Sequence, residues 1–357
     1  MKTRILRAAA LLLSLACLIL PAAAAGEAVA LRGIAEDSVP DANGIGAAAV
    51  WNIENDTFVY EHNVDAPLAP ASLTKLMTAV CAYEVLGGRM DETLTVEYGM
   101  IAAASGNQVG YYVGETVTVR DLFGGLLTRG ANDCAYLLAY AADGGTDAFV
   151  ARMNEKAAAL GMSATVYKNP TGMNAEGAVT TARDSIRVAA AFHAIPALTA
   201  LSSSVQYEMP ATNKAAARII YNRNALVSRV SETGYFDARV TGLNAGSTVE
   251  SGYYAASAVG SETLHYVIAV LGAAEAEGRN LAYTYTSKLA DYALSRFGYI
   301  EVIKAAGAVC ELPVTLSSTA DYVALVPATS LTLYLPLSTA SLATITLFYA
   351  VYHWNMW

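Results

Sequence analysis

Charge is scarce in this chain. Of its 357 residues only 15% are charged, and 31 acidic side chains outnumber 22 basic ones. An acidic surplus excludes a basic nucleic-acid binder, because neutralising phosphates takes clustered Lys and Arg. Few charges beside 55% hydrophobic residues also exclude a disordered tail: there is ample apolar surface to bury. Cysteine is sparse as well, with Cys17, Cys81, Cys134 and Cys310 making up the whole set. No Cys-x-x-Cys and no His-Glu-x-x-His occurs, and His62, His193, His265 and His353 stand far apart. Neither a metal site nor a cofactor is therefore expected.

A long apolar run is lacking at the start. Ala8 to Leu20 gives 13 uncharged residues, short of the roughly 20 that a membrane span needs. Lys2, Arg4 and Arg7 precede that run and Pro21 with small residues follows it. Residues 1–25 thus read as a secretory signal peptide, and an extracytoplasmic protein, secreted or held at the cell envelope, is expected. Export permits disulfides, but the three cysteines beyond the leader are an odd, thin set. Cys81 and Cys134 fall in apolar helical stretches and read as buried free thiols.

Beyond a polar linker over residues 26–44, Ala47–Trp51 and Thr57–Tyr60 flank Glu54-Asn55-Asp56, a β-hairpin pattern. Pro67 and Pro70 break that pattern. Ser72–Leu86 is then rich in helix formers until Gly87-Gly88 stops it. Further helices are expected over Val119–Ala142, interrupted at Gly130–Asp133, over Met153–Leu160, over Thr181–His193 and over Arg279–Phe297. Thr181 with Asp184 three residues on has the spacing of a capping box. Gly252–Gly260 and Leu264–Leu271 read as strands around the turn Gly260-Ser261-Glu262. Strands at both ends with helices between predict an α/β (α+β) fold, helices on an antiparallel sheet.

After Phe297 the texture changes to short β-like runs, Val309–Leu316, Tyr322–Val326 and Leu331–Leu335. A boundary is placed near 298, with residues 45–297 as the main domain and 298–357 as a small β-rich domain. The last 36 residues contain no Asp, Glu, Lys or Arg. Two readings stay open for that run, a sheet buried on both faces or a membrane-seeking tail. Pro327, Pro336 and the alternation Thr344-Ile345-Thr346-Leu347 favour the sheet.

Seven lysines occur, and only Lys75 has a serine three residues before it. At the start of a helix, Ser72 and Lys75 share one face. A serine hydroxyl attacks poorly unless a base takes its proton, and an amine is a base only when partly neutral. The helix N-terminus and an apolar pocket both lower the amine's pKa. Leu68 to Ala79 surrounds the pair with apolar residues, a poor setting for a solvated lysine.

At this string the chain resembles the serine-type D-alanyl-D-alanine carboxypeptidases, low-molecular-mass penicillin-binding proteins of the β-lactamase/transpeptidase-like fold. The resemblance runs from about residue 40 to 297. It continues through Leu127–Ala135, Asn169-Pro170-Thr171-Gly172-Met173 and Thr180–Asp184. It implies Ser72 as acyl-forming nucleophile and Lys75 as general base, peptidoglycan stem peptides as substrate, and β-lactams as covalent inhibitors. A β-lactamase ranks lower, since no Glu-x-x-x-Asn loop occurs near Asn169.

Two family motifs are altered. For the second, Ser-x-Asn, the letters match at Ser105-Gly106-Asn107, whereas the context matches at Gly130-Ala131-Asn132-Asp133. Context is preferred: Asn132 takes the amide role, the relay hydroxyl is gone, and 105–107 is a loop. For the third, Lys-Thr-Gly, the matching place is Asn244-Ala245-Gly246, which has neither charge nor hydroxyl. There Asn244, Gly246 and Ser247 are the expected substrate contacts, Gly246 by letting the substrate backbone lie close. The Ser247 NH joins that of Ser72 as oxyanion donor. Arg129 or Arg239 could replace the cation, and Ser247 or Thr248 the hydroxyl. These losses leave a second reading, a cell-wall peptide-binding protein without turnover. The aromatic end (Phe348, Tyr349, Tyr352, Trp354, Trp357) is a candidate for peripheral membrane contact.

Overall fold

The computed structural model describes residues 39–230, 234–305, 310–313, 322–325 and 328–337. Readings on the leader and linker before residue 39, and on residues 338–357, lie outside these. Residues 39–298 make one compact unit. It opens with the expected hairpin, β1 (Ala47–Asn52) and β2 (Thr57–His62). Asn52 is fully buried, and its Oδ1 accepts the Asn55 NH, closing the turn. A 3-10 turn (Ala71–Leu73) leads into α1 (Thr74–Leu86).

Next come β3 (Thr93–Thr95) and β4 (Thr116–Thr118), paired antiparallel, then α2 (Val119–Gly124). Thr118 caps α2 by accepting the Asp121 NH at 3.1 Å. A wide π turn, Gly125–Arg129, follows, and Gly130 ends it in the left-handed region (φ 70°). That is the interruption expected at 130–133, with a π turn the sequence did not signal. Gly125 is required here: a Cβ would run into the Cys134 sulfur.

Then follow α3 (Asn132–Asp143), α4 (Thr146–Ala159), α5 (Ala182–His193) and α6 (Pro196–Ser203). At α5 the capping box forms only by half. Thr181 Oγ accepts the Asp184 NH, but the Asp184 carboxylate accepts instead from Ala164 NH (3.0 Å) and Thr165 Oγ (2.8 Å). The acid thus ties the loop before α5 to the helix start.

A hairpin of β5 (Gln206–Met209) and β6 (Arg218–Tyr221) precedes β7 (Val240–Thr248), β8 (Gly252–Gly260) and β9 (His265–Ala273). The chain then enters α7 (Leu281–Arg296). One five-stranded sheet has the order β2-β1-β9-β8-β7 with every pair antiparallel. The first strand thus lies beside the last, and the edge strand β7 carries the third motif. Runs of alanine (Ala47–Ala49, Ala255, Ala256, Ala258) keep successive positions of the central strands buried. Helices therefore cover both faces, α7 against β8 and β9 and α5 against β1 and β9. This is the antiparallel sheet flanked by helices that the sequence led one to expect.

From Tyr299 onward the described residues belong to a second unit. In it Cys310–Pro313 pairs antiparallel with Tyr322–Leu325, and the strand from Phe297 to Ile303 pairs with Leu331–Pro336. The Tyr299 and Tyr334 rings meet edge to face at 5.8 Å.

Candidate active site

The turn that carries Ser72 is strained into place. Ala71 adopts φ 46°, a left-handed conformation costly for a residue with a Cβ, and Ser72 follows within the 3-10 turn. In such a turn residues three apart eclipse one another, so Lys75, one position into α1, lies directly over Ser72. Lys75 Nζ donates to Ser72 Oγ at 2.9 Å and to the Thr171 carbonyl at 2.7 Å. Only 1% of Lys75 is exposed. Burial drives its pKa from 10.5 down to about 7, opposed weakly by the Cys134 sulfur. At neutral pH much of this amine is uncharged.

The loop around Thr171 is built to present that carbonyl. Asn169 Oδ1 accepts from the Thr171 NH (3.1 Å), the Thr171 hydroxyl (2.8 Å) and the Gly172 NH (2.7 Å). The Pro170 carbonyl accepts from Thr78 of α1 at 2.7 Å. Gly172 has φ 77°, and a Cβ there would enter the Ala71 carbonyl. Asn169–Met173 is thus a cradle that moors the lysine and abuts the turn before the serine.

A cleft of about 820 Å³ opens over Ser72, and Asn132, Asn244, Gly246 and Ser247 all line it. Asn132 sits at the start of α3. Its Nδ2 donates to the Ser105 carbonyl at 2.6 Å and its backbone NH to the Asn107 carbonyl at 2.7 Å. The 105–107 segment is the loop expected, and it is stapled to the second motif as part of the same wall. Asn132 Oδ1 and Asn244 Oδ1 are buried and accept no hydrogen bond among the described residues. A buried carbonyl oxygen without a donor costs on the order of 1–3 kcal/mol. Two of them on one cleft suit a ligand that brings N–H groups.

On β7 the pairing with β8 shifts between Gly242 and Asn244, a bulge just ahead of the third motif. Gly246 stands opposite Tyr254. The room left by the absent side chain is taken by the Tyr254 hydroxyl, into which a Cβ on Gly246 would run. Burial raises the pKa of that hydroxyl to about 12, and the side chain and backbone of the neighbouring Ser72 oppose the rise. The glycine thus makes room for a buried phenol behind the nucleophile, a reason the sequence did not suggest.

The proposed stand-ins for the lost cation and hydroxyl separate clearly. Arg239 is held by Asp237 (2.6 Å) and by Asp291 and does not line the cleft. Nearness to the third motif in sequence is not nearness in space. Arg129 does line it, with its Nε donated to the Gln108 carbonyl at 2.8 Å. The Thr248 hydroxyl is spent in the β7–β8 turn on Ser251, whereas Ser247 is exposed on the cleft. Tyr254, Arg223 and Thr171 are members of this neighbourhood that the sequence did not single out. The nearest hint was Arg223 between two asparagines in an otherwise apolar stretch. Among the described residues no group of three or more His, Cys, Asp or Glu could hold a metal ion. Cys81 and Cys134 are buried free thiols.

A model of the D-alanyl-D-alanine carboxypeptidase family matches residues 38–275. D-alanyl-D-alanine carboxypeptidase DacF of Bacillus subtilis is 30% identical over 252 residues, covering 69% of this chain and 61% of the relative. A D-alanyl-D-alanine endopeptidase of Pseudomonas aeruginosa is 35% identical over 161 residues, 44% of this chain and 51% of the relative. The chain therefore spans about half to three-fifths of the length of these curated relatives. Among solved structures, a D-alanyl-D-alanine carboxypeptidase from Mycobacterium tuberculosis superposes with a TM-score of 0.65 at 25% identity, covering 72% of this chain and 93% of that one. DacD of Francisella tularensis, at 20% identity, shares the fold with a TM-score of 0.68, covering 90% and 86%.

Proposed function

Because the chain belongs to the D-alanyl-D-alanine carboxypeptidase family, we propose that it is an exported serine-type D-Ala-D-Ala carboxypeptidase acting on peptidoglycan stem peptides. The observation that carries the reading is a buried lysine with a pKa of about 7 hydrogen-bonded to a serine in an open cleft. As Ser72 Oγ attacks the carbonyl carbon of the penultimate D-alanine, its proton passes to the neutral Lys75 amine. The C–N bond then breaks, and the proton goes on to the amine of the departing D-alanine. Water cleaves the resulting ester, with Lys75 taking its proton and returning one to Ser72. The oxyanion develops beside the Ser72 NH and, on this reading, the Ser247 NH. The unpaired Asn132 and Asn244 carbonyls receive substrate amide N–H groups.

Residues 1–25 act in this reading as the signal peptide, and β-lactams are covalent inhibitors at Ser72. Residues 338–357 bring the aromatic end to the membrane surface, which comparison of membrane association with a chain ending at Ser338 tests. Gly130, Asn244 and Ala245 favour one rival, a peptide-binding protein that does not turn over. Labelled penicillin followed by peptide mapping separates the two. An adduct on Ser72 together with D-alanine release from an acyl-D-Ala-D-Ala peptide supports the enzyme. Folded protein with no adduct, and peptide binding unchanged by Ser72→Ala, supports the binder.

A further inference from the structure

We propose that the Tyr254 hydroxyl donates a hydrogen bond to the oxyanion that forms when Ser72 attacks, which makes it a catalytic residue lying in none of the three motifs. The proposal deepens the acyl-enzyme reading above and rests on it, but not on release of D-alanine. Negative charge grows on the attacked carbonyl oxygen beside the Ser72 NH. A donor already held at that place stabilises the charge without reorganising. Backbone NH groups are one source of such donors, and a fixed hydroxyl is another.

Two strands and one missing side chain dictate where Tyr254 goes. It lies on β8 directly opposite Gly246 of β7. Opposed residues project to one face of a sheet, and the phenol uses the room that Gly246 leaves: a Cβ there would run into the Tyr254 hydroxyl. Both β7 and β8 pack against the turn Ala71–Leu73, and Ser72, Gly246 and Tyr254 line the same cleft. The ring is held firmly. Tyr254 is 3% exposed, and the next residues along β8, Ala255 and Ala256, are fully buried in the sheet.

The proton of this hydroxyl is available. Other hydroxyls lining the cleft are committed: Ser202 donates to the Gly242 carbonyl at 2.6 Å, Tyr253 to Glu275 at 2.8 Å and Tyr283 to the Arg223 carbonyl at 3.4 Å. The Ser72 side chain and backbone both lower the Tyr254 pKa, which is the effect of hydrogen bonds given to the phenol oxygen. An oxygen that receives leaves its own hydrogen free to turn toward the substrate. Burial keeps the phenol neutral at pH 7, so that hydrogen is present. In the step itself the Oγ–C bond forms, the carbonyl π pair moves onto oxygen, and the Ser72 proton goes to Lys75. The phenol keeps its proton throughout.

The test reads acylation of the full chain by a fluorescent penicillin in stopped flow. Tyr254→Phe keeps the ring and removes the hydroxyl, and acylation is expected to fall about a hundredfold. Binding of an acyl-D-Ala-D-Ala peptide, titrated by NMR against Ser72→Ala with and without Tyr254→Phe, should stay unchanged, because the oxyanion exists only during the reaction. A ring-fluorinated tyrosine at 254 has the same shape and is a stronger donor. It should acylate at least as fast as the starting chain, and it decides the matter if Tyr254→Phe does not fold. The proposal is overturned if the fluorinated variant is slower, if Tyr254→Phe weakens peptide binding as much as acylation, or if Tyr254→Phe acylates as fast as the starting chain. Faster acylation overturns it too, by showing that the phenol obstructs the carbonyl oxygen. No adduct on Ser72 in the starting chain would remove the acyl-enzyme reading and this proposal together. An adduct without D-alanine release would remove turnover and leave Tyr254 standing.

Discussion

The parts of the cleft differ in how closely they match the family's motifs. The wall holding Ser72 and Lys75 is complete: a strained Ala71, an eclipsed serine and lysine, and an Asn169–Met173 cradle whose Thr171 carbonyl accepts a hydrogen bond from the amine. Elsewhere along the cleft, Gly130 stands where a relay serine is expected, and Asn244 and Ala245 where a lysine and threonine are. On the proposed reading, the residues assigned to the nucleophile match the family's first motif, while those assigned to substrate contact depart from its second and third. Chemistry and recognition can thus part company within one site, because the first depends on a few buried contacts and the second on whatever faces the ligand.

The comparison breaks most sharply at Lys75. Lys75→Met is expected to cut penicillin acylation by about a thousandfold, the scale of a lost general base, as read by stopped-flow with a fluorescent penicillin. It should also raise the melting temperature, since an amine buried against its preference is removed. Acylation unaffected by this change would make the intact wall ornamental. Acidity probes the same wall more gently. With a folded pKa near 7, Lys75 would, on the proposed mechanism, act as base above that pH and be silenced below it. Acylation should therefore fall about tenfold per unit beneath pH 7, roughly a hundredfold by pH 5. Stability follows in sign: below pH 7 the folded and unfolded states both hold the proton and the burial cost is fully present. Between 7 and 10.5 the folded state releases it first and stability rises. A rate flat from pH 5 to 8 would show that another group takes the proton.

The altered motifs can be sharpened by writing the family's residues back. Asn244→Lys with Ala245→Thr should raise the preference for a peptide ending in a carboxylate over the same peptide ending in an amide by about tenfold, measured by NMR titration. No gain would mean that the carboxylate is already fully satisfied. The smallest effect is expected of Gly130→Ser, a few-fold in D-alanine release. The restored hydroxyl works against a backbone at φ 70° that costs a side-chain-bearing residue about 1 kcal/mol. Release lowered by this change would place the relay elsewhere.

Much of this was legible in the chain itself, and the boundary is physical. The hairpin at β1–β2, the strands β8 and β9 and the start of α5 follow from alternation, turn residues and a capping threonine, all local signals. Ser72 and Lys75 were legible for the same reason, being three residues apart. Thr171 was not: it acts through its backbone carbonyl, 96 residues from Lys75, and a carbonyl carries no letter. Tyr254 faces Ser72 only through the β7–β8 register. Arg223 enters the cleft because two asparagines fix its backbone. Arg239 misled because closeness to the third motif in sequence was read as closeness in space, whereas its guanidinium is taken by Asp237, two residues before it, and by Asp291, 52 residues after.

Ser72 and Lys75 are neighbours in sequence, yet the serine is seated by a strained turn against β7 and the amine by a loop leading into α5. Their 2.9 Å separation therefore depends on two moorings that can slacken independently. Loss of the loop's three hydrogen bonds to Asn169 would open the pair while the alanine-packed sheet stayed whole. On warming, the chain should go silent before it melts, and on cooling regain its voice without refolding.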